Sequence, residues 1–115
     1  MSTESSGGRG ADRIREVFTR VRQKRPDIAD LFCDDAVIVY GKDSWVEGRE
    51  AIRAFYRRAI DDLSPQPTVQ VILEAPPLYV AIIEVHTGSE SYRALDLFEL
   101  ADDKIRRLEI YSRSS

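Results

Sequence analysis

Apolar residues recur at steps of three and four over residues 11–25, which predicts a helix with one apolar face. The members of this stripe are Ile14, Val17, Phe18 and Val21. Pro26 ends the helix because it has no amide hydrogen to donate. Asp27 can then cap a short second helix that runs through Phe32.

A third helix, over residues 49–63, is predicted from the clearest helical periodicity in the chain. Its apolar positions are Ile52, Phe55, Tyr56, Ala59, Ile60 and Leu63. The segment Ser-Pro-Gln-Pro at residues 64–67 ends it, since proline cannot continue a helix.

The remaining segments are rich in β-branched and aromatic residues and are separated by turn residues, which predicts strands. They comprise residues 36–40, 69–74, 78–87, 92–100 and 104–111, with a loop or short edge strand over 42–48. The last four strands follow one another through turns, so they form an antiparallel meander. The sheet must bury one face against the helices, which predicts an α+β fold with a curved, mainly antiparallel sheet wrapped around three helices.

Length and composition indicate one domain, over residues 11–115, after a flexible Ser/Gly-rich tail at residues 1–10. With 43% hydrophobic and 32% charged residues among 115, the chain is typical of a globular protein. It contains no apolar run of the roughly 20 residues that a membrane span needs. The start of the chain does not resemble a secretory signal, and the single Cys33 cannot form an internal disulfide. We therefore expect a cytoplasmic protein.

Positive charge is concentrated in the first helix. Residues 9–25 hold seven basic residues against Asp12 and Glu16, a local charge of +5 in a chain of net charge −3. Such a helix can contact nucleic acid, but no aromatic residues stand between the basic ones as stacking platforms. We expect a solvated helix face and no nucleic-acid partner.

Two segments carry a resemblance to a known family. One is DDAVIV at residues 34–39, followed by GREAIRAFY at 48–56, and the other is DLFEL at 96–100, leading into DKI at 103–105. In order and spacing the chain resembles the nuclear transport factor 2-like superfamily, especially its SnoaL-like and ketosteroid-isomerase-like branches. The resemblance implies a cystatin-like cone, or α+β barrel, around a small-molecule pocket, often in a homodimer that forms through the outer sheet face. It does not imply one activity, because this fold hosts isomerases, cyclases, hydrolases and binding modules.

The resemblance also assigns catalytic positions, and most of them lack the expected residue. The base of ketosteroid isomerases matches Tyr40, whose phenol stays protonated near neutral pH, and the tyrosine donor falls near Thr19. The second oxyanion donor falls at Asp96 or Leu95, and the catalytic aspartate of epoxide hydrolases matches Ile110. The resemblance therefore implies neither reaction in its usual form.

A candidate site follows from the last hairpin instead. With residues 102–103 at its tip, Asp96 would face Glu109, and directly opposed residues share one face of a sheet. Two opposed carboxylates can act as an acid/base pair, although Arg107 nearby favours a surface network over this pair. The opposite face would carry Leu95, Leu97, Leu108 and Ile110, the natural pocket side.

Three aromatic residues, Tyr40, Trp45 and Tyr56, are predicted to line the pocket, because such rings supply apolar area with a polar handle. No histidine, cysteine and carboxylate set has metal-ligand spacing, and no glycine-rich phosphate loop precedes a helix. We expect neither a metal nor a cofactor. Three functions remain open, in this order: a domain that binds a small apolar or amphipathic molecule; a cofactor-independent isomerase, cyclase or hydrolase that uses Asp96, with Glu109, as acid and base; and an interaction module that uses the basic first helix.

Overall fold

The computed structural model describes the backbone of residues 3–112 and the side chains of residues 9–25 and 27–112. Residues 1–2 of the predicted tail and 113–115 of the predicted domain lie outside this range. The described elements are a curved six-stranded sheet and two α-helices, so the α+β class is confirmed.

The prediction of three helices is not confirmed, because the described residues contain two α-helices. These are α1, Thr3–Arg22, and α2, Arg49–Leu63. The segment predicted as the second helix is a 3-10 turn, Pro26–Leu31, and no side chain caps its start. The first strand already begins at Phe32, four residues earlier than expected.

Helix α1 also begins earlier than the apolar stripe alone indicates. Its start at Thr3 takes in most of the segment predicted as a tail, whose flexibility stays a prediction. Helix α2 has the predicted bounds. It starts directly after Gly48, which has a φ of 96° and so adopts a conformation that favours glycine.

All six strands lie in one sheet in the order β2-β1-β6-β5-β4-β3, so the short segment β2 is an edge strand. Neighbours pair antiparallel except β1 and β6, which run parallel. The predicted four-strand meander, β3 to β6, is confirmed. The strand bounds are β1 Phe32–Tyr40, β2 Ser44–Glu47, β3 Gln66–Ala75, β4 Leu78–Thr87, β5 Glu90–Ala101 and β6 Lys104–Ser112.

The helices cover one face of the sheet. Helix α1 packs on β3 and β4, whereas α2 packs on β1, β2 and the 3-10 turn. The predicted apolar stripe of α1 is buried in the core. Within it, Phe18 meets Phe98 of β5 edge to face, with 5.9 Å between the ring centroids. Within residues 3–112, neither helix has the length and apolar character needed to cross a bilayer.

A bulge in the last hairpin changes which side chains share a face. Leu100 faces Ile105 as predicted, but Glu99 faces Arg107, so Arg106 is one extra residue on β6. Beyond the bulge Asp96 lies opposite Ile110, and the predicted pairing of Asp96 with Glu109 was wrong. A slip of one residue moves every following side chain to the other face of its strand, which explains the error.

Candidate functional site

A cavity of about 400 Å³ lies between the concave face of the sheet and the two helices. Its floor is formed by β4, β5 and β6, and its sides by α1 and α2. Apolar and aromatic residues make up most of the wall. The larger of these are Phe18, Phe55, Leu63, Ile83, Tyr92 and Ile110.

One carboxyl group interrupts this apolar wall. Asp96 of β5 is only 5% exposed, and its Oδ1 atom has no hydrogen-bond partner among the described residues. Burial raises the pKa of Asp96 from 3.8 to about 7, because the ionised form loses its hydration without gaining a cation. A group with a pKa near neutrality can both accept and release a proton at physiological pH.

Three tyrosines supply further polar groups to the cavity. Tyr40, Tyr56 and Tyr92 line it from β1, α2 and β5. Burial raises the pKa of Tyr56 well above its ordinary value, and the negative charge of Asp96 raises it further. The same two causes raise the pKa of Tyr92. Both phenols therefore remain neutral and can donate hydrogen bonds.

The structure brings four of the predicted site residues into this wall: Asp96, Tyr40, Tyr56 and Ile110. Leu108 is on the same face of β6 as Ile110 but is 1% exposed and packed in the core. The sequence favoured a surface network for Asp96, which would place its side chain on the outer face, and that orientation was wrong. Because of the bulge, Asp96 shares the inner face with Ile110.

The other predicted residues of the last hairpin lie on the outer face. Leu95 is 44% exposed opposite Tyr111, and Leu97 lies opposite Glu109, so their placement on the cavity side was wrong. Glu109 accepts hydrogen bonds from the Tyr111 hydroxyl and from Arg107 Nε, the latter at 2.6 Å, and these two contacts lower its pKa. It therefore cannot share a site with Asp96 across the sheet.

Trp45 does not line the cavity, contrary to the expectation. It lies on the edge strand β2, 66% exposed, beside a shallower groove between β2 and α2. Tyr40 and Phe55, with ring centroids 5.1 Å apart, line both the groove and the cavity and so separate them.

Several wall residues were known from the sequence only as members of helical stripes. Val17, Phe18 and Val21 of α1 and Phe55 and Ala59 of α2 are examples. The turn between β4 and β5 held the missing signal for Asp96. The turn residues are Gly88 and Ser89, so Thr87 pairs with Glu90 and Asp96 lies opposite Ala81. Ala81 is on the buried face of β4, with Ile83 and Val85.

The basic residues near the first helix are largely engaged within the chain. Arg20 contacts Glu16 at 2.8 Å, and Arg25 contacts Asp27 at 2.7 Å. Arg22 donates to the Pro67 carbonyl, and Asp103 lies within 3.9 Å of Arg13. These contacts favour the predicted structural role of the basic segment, and the absence of a nucleic-acid partner stays a prediction.

Comparison with known proteins identifies the family. The sequence profile of the SnoaL-like domain matches residues 11–108. The chain belongs to the SnoaL-like domain family. Among curated proteins, none matches the chain.

Solved structures with the SnoaL-like and nuclear transport factor 2-like fold share this architecture at low sequence identity. A proposed SnoaL-like polyketide cyclase from Jannaschia sp. CCS1 has a TM-score of 0.82 at 12% identity, over 90% of this chain and 85% of its own. A proposed ketosteroid isomerase from Kribbella flavida has a TM-score of 0.82 at 17% identity, over 93% and 79%. A protein from Sphaerobacter thermophilus has a TM-score of 0.75 at 26% identity, over 91% and 96%. These similarities establish the fold of this SnoaL-like domain.

Proposed function

We propose that this SnoaL-like protein is a small cofactor-independent enzyme of the isomerase or cyclase kind, in which Asp96 transfers a proton to or from an apolar small molecule in the cavity. One observation carries the proposal: a nearly buried carboxyl group faces the cavity without a partner, and its pKa is about 7. A structural carboxylate is normally paired or hydrogen-bonded, whereas an acid/base group benefits from a pKa near the working pH.

The geometry supports proton transfer next to a carbonyl group. The ionised Asp96 would take a proton from the carbon beside the carbonyl and return it at another carbon, or leave the enolate to attack an electrophile. The carbonyl oxygen of the substrate gains negative charge in this step, and a neutral phenol can donate a hydrogen bond to that oxygen. Tyr56 supports that role because it lines the cavity and its raised pKa keeps it protonated.

The experiment uses a probe reaction that does not require the natural substrate. Apolar ketones that bind the protein are incubated in heavy water, and exchange of the protons beside the carbonyl is followed by NMR. We expect exchange that is lost in Asp96→Asn and unchanged in Glu109→Gln, whose side chain lies on the outer face. Exchange by the Asp96→Asn variant at the wild-type rate with every bound ketone would remove Asp96 from the mechanism.

Binding without turnover is the second candidate function. The mostly apolar cavity wall favours this function, because Asp96 is the only carboxylate among the described residues that line it. A pure binding domain would take up apolar ketones with measurable affinity and exchange none of their protons. The same experiment therefore separates the two functions.

We also propose that a second copy of the chain covers the outer face of the sheet. Cross-strand neighbours there form a broad apolar surface, and large exposed patches of this kind mark protein contacts. The most exposed members are Trp45, Val71, Leu73, Leu78, Leu95 and Tyr111. Because Asp96 faces the other side, this contact would leave the cavity open.

A further inference from the structure

The Asp96 carboxyl group lacks a hydrogen-bond donor within the described chain. Its Oδ1 atom is buried without a partner, and Asp96 is one of the residues that line a cavity large enough for a ligand. An unsatisfied buried polar group is costly, so a ligand that brings a donor to this carboxyl group gains free energy beyond its apolar contacts. A positively charged N–H group is the strongest such donor.

The walls around this carboxyl group are suited to a cation. Aromatic rings from four elements line the cavity: Phe18, Tyr40, Phe55, Tyr56 and Tyr92. Phe55 lies between its two tyrosine neighbours, with ring centroids at 5.1 Å from Tyr40 and 5.3 Å from Tyr56. Aromatic faces attract ammonium groups, and the attraction increases when the groups are shielded from water.

Charge in the cavity favours the same ligand. The titratable groups that line it are Asp96 and three phenols, from β1, α2 and β5, while α1, β4 and β6 contribute apolar side chains and the Ser112 hydroxyl. The part of the wall that the structure describes carries no cationic side chain. A carboxylate ligand would therefore meet like charge in a water-poor site, and an uncharged hydrocarbon would gain no Coulomb attraction.

We propose that the cavity binds lipophilic amines, with the protonated nitrogen paired to the Asp96 carboxylate and the apolar part held among the aromatic rings. The inference rests on the proposed function only in that both use Asp96 and the same cavity, and it requires no turnover. A bound amine would occupy the acid/base group and so compete with a carbonyl substrate.

The test compares three naphthalene derivatives of nearly equal size by calorimetry on the full chain. They are a dimethylaminomethyl derivative, its uncharged isobutyl isostere and the naphthylacetate anion. At pH 8 we expect the amine to bind at least about tenfold more tightly than the isostere, as for a partly desolvated ion pair, and the anion more weakly than both. Equal affinity of amine and isostere, or no binding of either, would overturn the proposal.

Two further measurements assign the preference to Asp96. In Asp96→Asn the amine should lose its advantage while the isostere binds as before, which also shows that the variant is folded. In the wild type, amine affinity should rise about tenfold from pH 6 to pH 8 as the carboxyl group ionises, with constant isostere affinity. Persistence of the preference in Asp96→Asn, or a pH-independent amine affinity, contradicts the inference.

The proton-exchange experiment distinguishes a failure of this proposal from a failure of the proposed function. A protein that prefers the amine but exchanges no ketone protons has the amine site without the reaction. A protein that exchanges protons through Asp96 but binds the amine and its isostere equally has the reaction without the amine site.

Discussion

Asp96 is the residue on which the account of the site depends. Its carboxyl group is held in an apolar wall by the inner face of β5, so its pKa is raised by burial and by no charged neighbour. The residue itself was among the candidates from the sequence, but the pattern of β5 by itself did not reveal its environment. Both faces of β5 carry apolar residues, so alternation alone does not show which face is buried.

The raised pKa of Asp96 predicts a particular dependence of stability on pH. The folded protein keeps a proton that the unfolded chain releases between about pH 4 and pH 7, so the contribution of Asp96 to stability falls as pH rises through this window. A rise from 3.8 to about 7 corresponds to about 4 kcal/mol in total. We therefore compare the unfolding free energies of Asp96→Asn and the wild type in urea titrations. The value for the variant minus the value for the wild type should increase by roughly this amount from pH 4 to pH 8. A constant difference across that range would show that Asp96 titrates normally.

Tyr56 is predicted to act as the hydrogen-bond donor. Tyr56→Phe removes the hydroxyl but keeps the ring that packs against Phe32 and Phe55, so the fold should be retained. We expect ketone proton exchange to fall by about a hundredfold, as on loss of one donor to an oxyanion. Tyr111→Phe is the matched control, because its hydroxyl bonds Glu109 on the outer face, and it should leave exchange unchanged. Equal rates for the two variants would exclude Tyr56 as the donor.

At the scale of elements, the sequence predicted the helix bounds that local periodicity determines, but it did not predict the strand register, which depends on pairing between distant segments. Helix α2 has its predicted bounds because a turn, a long apolar stripe and prolines delimit it. The bulge at Arg106 left no comparable local signal, yet it separates Leu95 and Leu97 from Leu108 and Ile110. The early start of β1 likewise depends on strand pairing, since Phe32 lies opposite Ile105 of β6.

Arg49 connects the start of α2 to β1. Arg49 donates from Nε and Nη2 to the Phe32 carbonyl at 3.2 and 2.8 Å, and its Nη1 lies 2.8 Å from the exposed Asp34 carboxylate. We expect Arg49→Ala to cost about 1–2 kcal/mol, because the carbonyl loses its donors. Asp34→Ala should cost less than about 0.5 kcal/mol, since exposed ion pairs contribute little. Denaturant titrations of both variants check this, and equal costs would show that the ion pair matters as much as the carbonyl.

At the scale of the whole molecule, the two faces of the sheet serve different purposes in this account. The concave face and the helices enclose the cavity, and the outer face offers an apolar surface to a second copy. This division explains why the sequence could not separate pocket from interface, since both faces are apolar for different reasons.

Charged substitutions test the second face. We expect Leu73→Glu or Leu95→Glu to convert a dimer to a monomer, because a charge would be buried at the contact. Leu63→Glu is the control: Leu63 is 55% exposed, as is Leu73, but it lies on α2 at the cavity. Sedimentation velocity reads out the mass. A wild-type protein that stays monomeric at high micromolar concentration would contradict the predicted dimer.

The most direct test of the central claim is a titration of the Asp96 carboxyl carbon by NMR in aspartate-labelled protein, assigned with Asp96→Asn. The account predicts a midpoint near pH 7, because the group faces the cavity buried and without a partner. A midpoint near pH 4 would contradict it, since the carboxyl group would then be hydrated or paired and could not serve as the acid/base group of this site.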